Sequence, residues 1–218
     1  MSAQKVSPSQ VAQREGFPFI YHLLHMANLR SVAEHGLLSR REVDARGIGI
    51  SSLQSEEVRT ARAALLTLPD GSAVPLDHYL TFRWFPSTPV LANKAYDWRE
   101  GKYSQANQEF LVLLEVDTSA LEMARELWFA TAPPFSRECS LVAADGFGQI
   151  PWDRLRTARD HHGDFSDVIS RSEILVGNVV APSYLHACVV CDEVAADRVR
   201  ALGSELPVSV RPEWFFGF

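Results

Sequence analysis

A chain of 218 residues, 46% apolar and 22% charged, can bury a sizeable core and does not read as disordered. Its net charge of −6 and pI near 5.6 exclude a broad non-specific nucleic-acid footprint, which needs an excess of cations, but leave room for a small basic groove. It contains no run of 18 apolar residues, so no membrane association is expected.

Residues 1–16 are polar and mixed, with no basic region leading into an apolar one. They read as a flexible N-terminus ahead of a single domain over 17–218, in a cytoplasmic protein. Phe19–Leu24 is a β-favouring run after Gly16 and Pro18. Leu29, Val32 and Ala33 then fall at helical spacing, with Gly36 placed to end the helix. Residues 40–53 read as a loop, and Ser55 caps an expected helix through Arg62. Pro69-Asp70-Gly71 is a turn signal, and the aromatic run His78–Phe85 reads as a central strand that Pro86 closes. Phe110–Val116 has the continuous apolar character of a buried strand. After it, Asp117–Ala120 opens a helix or turn, and Pro151 is placed at the first position of another helix. Ile174–Val176, His186–Val190 and Pro207–Phe216 supply three further strands. Helices and strands do not alternate regularly, so the expected fold is α+β around antiparallel sheets.

Among candidate chemical groups, Glu173 stands first, as a lone acid entering an apolar strand from the polar stretch Arg159–Ser170. His22, His25 and Asn28 follow one another at spacings of three from the first strand. Buried imidazole and amide groups there must satisfy one another or await a polar ligand. Arg62 ends its predicted helix with a guanidinium that either snorkels outward or reaches into a pocket. Cys139, Cys188 and Cys191 are odd in number and no disulfide is expected; on a strand the sulfurs of Cys188 and Cys191 would diverge, against a metal or redox role. His161 and His162 beside Asp160 and Asp164 read as a solvated loop, so no metal is expected. Gly47-Ile-Gly49 lacks the strand-to-helix setting of a dinucleotide fingerprint, and neither a phosphate loop nor a Gly-x-Ser-x-Gly elbow is present.

Several segments in one order resemble the DarT family of ADP-ribosyltransferases, toxins that use NAD to modify bases in single-stranded DNA. Tyr21-His22-Leu-Leu-His25-Met-Ala-Asn28-Leu29 is similar to the family's aromatic-His-x-x-His-x-x-Asn-Leu pattern, and His35–Ser39 follows it. Glu57–Arg62 is similar to the helix ending in an essential arginine. Asp77–Leu91 resembles the Tyr-Val-Pro-Phe-Tyr-Phe segment, Gln149–Asp160 the approach to the substrate-recognition loop, and Ser172–Val176 the catalytic Ala-Glu-x-Leu-Val. Val208–Phe215 fits the last strand, so the likeness spans residues 18 to 216 or thereabouts. The chain departs from the pattern at Leu24, at Thr81-Phe82-Arg83-Trp84, and across Phe129–Ser140, where the family's Thr-Asp-x-His-Ala has no clear counterpart.

The resemblance implies an ADP-ribosyltransferase-like fold, with two small, mainly antiparallel sheets and flanking helices around an NAD cleft. It implies Glu173 and Arg62 as catalytic residues, and His22, His25, Asn28 and Tyr79 as contacts to NAD, the co-substrate. Arg159, Phe165 and Arg171 would meet the acceptor, a nucleobase of single-stranded DNA, with thymidine given by likeness. A macrodomain antitoxin is the implied partner. The departures lie on the base side, which leaves other acceptors open: guanine, RNA, a protein or a small molecule. A non-catalytic NAD-binding module is the remaining alternative, and it would leave Glu173 as a surface acid. The enzyme reading requires Glu173, Arg62 and His22 to converge.

Overall fold

The computed structural model describes residues 6–51, 53, 60, 62, 63, 65–86, 110–161, 165–177 and 179–215. The chain opens with helix α1 (Pro8–Arg14) inside the segment expected to be flexible. Ser7 and Gln10 form a reciprocal capping box, and Val11 and Ala12 are buried. Strand β1 (Phe19–His25) leads into helix α2 (Leu29–His35), which Gly36 ends at a φ of +77°. A Cβ on Gly36 would collide with the Val180 carbonyl, so glycine is required there twice over. The short strand β2 (Leu37–Leu38) precedes helix α3 (Arg40–Ala45), where the sequence reading expects a loop. Ser39 caps α3, and the Arg40–Asp44 and Arg46–Glu42 pairs support it at i,i+4 spacing. Of the expected helix over 55–62, only Thr60 and Arg62 lie among the described residues, and both are helical.

Strands β3 (Leu65–Thr67) and β4 (Ala73–Pro75) form a hairpin over the predicted turn, where the Gly71 N–H donates to Leu68 O at 2.9 Å. Strand β5 (Tyr79–Phe82) follows, then β6 (Leu111–Asp117), β7 (Leu127–Ala130) and β8 (Leu141–Ala143). Helix α4 (Trp152–Asp160) begins one residue after Pro151. Beyond it lie β9 (Glu173–Gly177), β10 (Val179–Val180), β11 (Leu185–Val190), helix α5 (Glu193–Ala201) and β12 (Val208–Val210). The last expected strand stops at Val210, since Pro212 opens a 3-10 turn.

Two four-stranded sheets carry the fold, in the orders β1-β6-β11-β12 and β5-β9-β7-β8, antiparallel except for the parallel pair β11-β12. β5 is thus an edge strand and not the central strand that its aromatic sequence suggests. Its Leu80 and Phe82 are covered by packing against the other sheet. Ile20, Leu24, Phe82, Val112, Leu114, Ile174 and Val176 share one core, with Trp84 at its centre against Phe17 and Trp152 at 5.7 and 5.0 Å between ring centroids. A smaller core on the opposite face of the second sheet holds Leu66, Leu68, Leu76, Tyr79, Ala130 and Leu175. The sheets meet at one backbone bridge, Tyr21 to Arg83, with both N–H···O bonds at 2.9 Å. Side chains alternate along β1 and β5, so this junction decides which of them meet.

Candidate active site

Glu173 is the first residue of β9, opposite Ala130 of β7. On its other side, Phe82 pairs with Ile174, so the next residue of that edge, Arg83, comes beside Glu173. Alternation sends Ile174 and Val176 into the main core and leaves Glu173 on the other face with Leu175. Its side chain is 21% exposed, and Oε1 lies 3.8 Å from Arg83 Nη1. Oε2 is buried with no hydrogen-bond partner among the described residues. A carboxylate oxygen so placed is costly unless a ligand donates to it.

His22 occupies β1 one residue beyond the bridge, where its Nδ1 lies 2.9 Å from the Thr81 carbonyl oxygen across the gap between the sheets. A carbonyl only accepts, so Nδ1 carries the proton. Burial holds the imidazole below its ordinary pKa, with the nearby Arg62 cation adding to the effect against the Thr81 hydrogen bond. The ring is therefore neutral near pH 7, and Nε2 presents a lone pair. Burial likewise pushes the Arg62 guanidinium down, while the carboxylates of Glu173 and Asp77 draw it back up. Arg62 thus interacts electrostatically with Glu173, Asp77 and His22, which are far apart in sequence.

The other predicted residues are distributed less simply. His25 accepts from the Ala27 N–H through Nδ1 and stacks on Phe110 at 5.8 Å, and Asn28 is hydrogen-bonded in both directions to the Ser51 backbone, at 2.8 and 2.9 Å. Both therefore shape the chain after β1. Tyr79 is buried in the smaller core, donating its hydroxyl to Glu126 at 2.6 Å. Lying opposite Gly177, it is four residues along β9 from Glu173, and burial pushes its phenol pKa up. Arg159 donates to Gly16 O at 3.1 Å and covers the Phe17 ring at 5.0 Å, so its contacts lie at the entry to β1. Phe165 is partly buried, on the approach to a 3-10 turn over Val168–Arg171. Arg171 stands two residues before Glu173, its Nε buried without a partner among the described residues.

Sequence reasoning missed three groups: Arg83, Asp77 and Cys139. Burial first, and then the Glu173 charge, push the Cys139 thiol up, which places it near the acid. Cys139 also lines a groove of about 440 Å³ together with Leu65, Thr67, Pro134, Phe135 and Leu141. A second concavity, of about 400 Å³ between α2 and α5, contains none of the predicted site residues. Arg83 could have been found as a charge within an aromatic strand run, the kind of buried polar residue that calls for explanation. No group of three or more metal-ligating side chains occurs among the described residues.

The pair of four-stranded sheets has an ADP-ribosyltransferase fold. The family model described as "ssDNA thymidine ADP-ribosyltransferase, DarT" matches residues 21–216, and the chain belongs to that family. Similar solved structures include Thermosipho africanus DarTG in complex with ADP-ribose, at 21% identity and a TM-score of 0.73 over 92% of this chain. This chain spans about half, 51%, of the T. africanus chain. Thermus sp. 2.9 DarT in complex with ADP-ribosylated ssDNA is 17% identical with a TM-score of 0.73, covering 92% of this chain and 97% of that one. The same Thermus protein with NAD+ gives 17% identity and a TM-score of 0.68, covering 92% and 98%. No curated protein matches the sequence.

Proposed function

We propose that this chain transfers ADP-ribose from NAD to thymidine in single-stranded DNA, with Glu173, Arg62 and His22 as its chemical centre. The observation that supports the reading is the electrostatic interaction of Arg62 with both Glu173 and His22, together with one Glu173 oxygen awaiting a donor. Family membership and the likeness to DarT structures holding NAD+ and ADP-ribosylated ssDNA support it.

Breaking the bond between the ribose anomeric carbon and nicotinamide leaves an electron-poor, oxocarbenium-like sugar. The bonding pair departs with neutral nicotinamide. Glu173 accepts from a ribose hydroxyl and opposes the developing positive charge, while Arg62 supplies a rigid cationic fork for the negative phosphates. The lone pair on His22 Nε2 accepts from a hydroxyl or amide group, which orients the leaving half. A thymine ring N–H must lose its proton as its nitrogen attacks, and Glu173 is the adjacent base that takes it. A single-stranded acceptor avoids the cost of extracting a base from a duplex. The groove lined by Phe135 and Cys139 suits the acceptor base, since Phe135 is 46% exposed and free to stack.

In this reading the protein is a cytoplasmic toxin whose modification a macrodomain antitoxin reverses. No described helix is long and apolar enough to cross a membrane. The test is incubation with labelled NAD and a panel of single-stranded DNA, RNA and duplex substrates, with Glu173→Ala as control. Label should appear on thymidine-containing single strands and vanish in the variant. Absence of label from every nucleic acid overturns the acceptor, and equal labelling by Glu173→Ala overturns the mechanism.

A further inference from the structure

We propose that Arg83 is a positioning residue that aims the Glu173 carboxylate while leaving its oxygens free to bind. Its catalytic consequence rests on the transferase reading above, but its effect on Glu173 does not. Arg83 has three attachments. Its backbone makes the double hydrogen bond to Tyr21 that joins the sheets. Its guanidinium is 11% exposed and grips the segment entering β9: Nη1 donates to Arg171 O at 2.6 Å and Ser172 O at 2.8 Å, and Nη2 to Ser170 O at 3.4 Å. The same Nη1 lies 3.8 Å from Glu173 Oε1, close enough for charge neutralisation but beyond a hydrogen bond.

That difference matters chemically. A direct bidentate ion pair would occupy the lone pairs on which ribose and acceptor depend. By committing its donors to backbone carbonyls, Arg83 offsets the burial of the carboxylate without consuming it. It also fixes the backbone from Ser170 to Ser172, so the direction in which Glu173 projects is set by the junction between the sheets. Burial pushes the Arg83 guanidinium down, Glu173 draws it up, and neighbouring Arg171 pushes it down further. Glu173 has Arg83 of the β5 edge at ion-pair distance, and its charge also acts on Arg62 and on Cys139, which lies between β7 and β8. Among the described residues, Arg83 combines an ion-pair distance to Glu173 with hydrogen bonds to the backbone that delivers it.

The test compares wild type with Arg83→Gln and Arg83→Lys by single-turnover transfer to a thymidine-containing oligonucleotide and by crystal structures of the variants. Arg83→Gln should lower kcat by about tenfold or more with KM for NAD within about threefold, and its Ser170–Ser172 backbone and Glu173 side chain should be displaced together. Arg83→Lys keeps the charge but loses the planar fork, so it should recover only part of that loss. A Glu173 side chain left in the wild-type position in folded Arg83→Gln overturns the proposal, and this holds whether or not any acceptor is labelled. Should Arg83→Gln not fold, an undisplaced Glu173 with wild-type kcat in folded Arg83→Lys overturns it as well.

Discussion

Glu173→Gln is the sharpest perturbation, because it keeps size and hydrogen-bonding reach while deleting one charge. With a side chain 21% exposed and flanked by Arg83, the site is neither bulk water nor dry interior. An effective dielectric near 20 is appropriate there, and two unit charges about 4 Å apart then interact by about 4 kcal/mol. Full loss of that stabilisation against a developing ribosyl cation amounts to about three decades in rate. The expected result is a kcat lower by about a thousandfold with KM for NAD within about threefold, as for an interaction made in the transition state. The assay is single-turnover transfer to a thymidine-containing oligonucleotide, followed by gel shift, with circular dichroism to verify folding. A fall of less than tenfold would show that the charge does not act on the reacting sugar.

Three further outcomes follow from the same geometry. His22 titrates below its ordinary value of 6.5, so between the folded and unfolded values the native state binds fewer protons than the unfolded chain. Its contribution to stability is therefore complete above about pH 6.5 and declines as pH falls through that window; urea unfolding at pH 5.5 and 7.5 should show a slope that His22→Gln reduces. Arg62→Lys replaces a planar fork by a point charge, and kcat should fall by about tenfold to a hundredfold, measured with melting temperature as a folding control. Gly36→Ala meets both a positive φ and the Val180 carbonyl, so chemical denaturation should register a loss of about 2 kcal/mol or more.

Local chemistry made much of this molecule legible. The apolar run before Asp117 reads directly as the buried strand β6, and Gly36 marks the end of α2 because only its backbone conformation fits there. Glu173 could be singled out because an acid at the head of an apolar strand is conspicuous. The helix α3 was hidden by charged residues without an apolar stripe, although the Ser39-x-x-Glu42 spacing is a start signal. α5 follows directly on a strand, and its buried face is made of the small residues Ala195 and Ala196 with Val199, a weak helical signal despite the Asp192 cap. Long-range pairing was out of reach: β5 reads as central from its aromatics, but its strand partner lies some ninety residues onward and its apolar face is covered by the other sheet. Arg83 stood out only as a departure from a family pattern, because a charge among aromatics has no local explanation. Its purpose emerges once the Ser170–Ser172 carbonyls arrive beside it. Asn28 and Tyr79, which the resemblance gives as NAD contacts, have the Ser51 backbone and Glu126 as hydrogen-bond partners, which no local pattern announces.

The central claim is that Glu173, Arg62 and His22 surround one bound dinucleotide. A crystal structure of the Glu173→Gln protein with NAD and a thymidine-containing oligonucleotide tests it directly. The account predicts the nicotinamide-side ribose within hydrogen-bond distance of position 173, with the Arg62 guanidinium and His22 Nε2 on the same ligand. NAD bound elsewhere, or bound in that cleft with its ribose turned away from position 173, would contradict it.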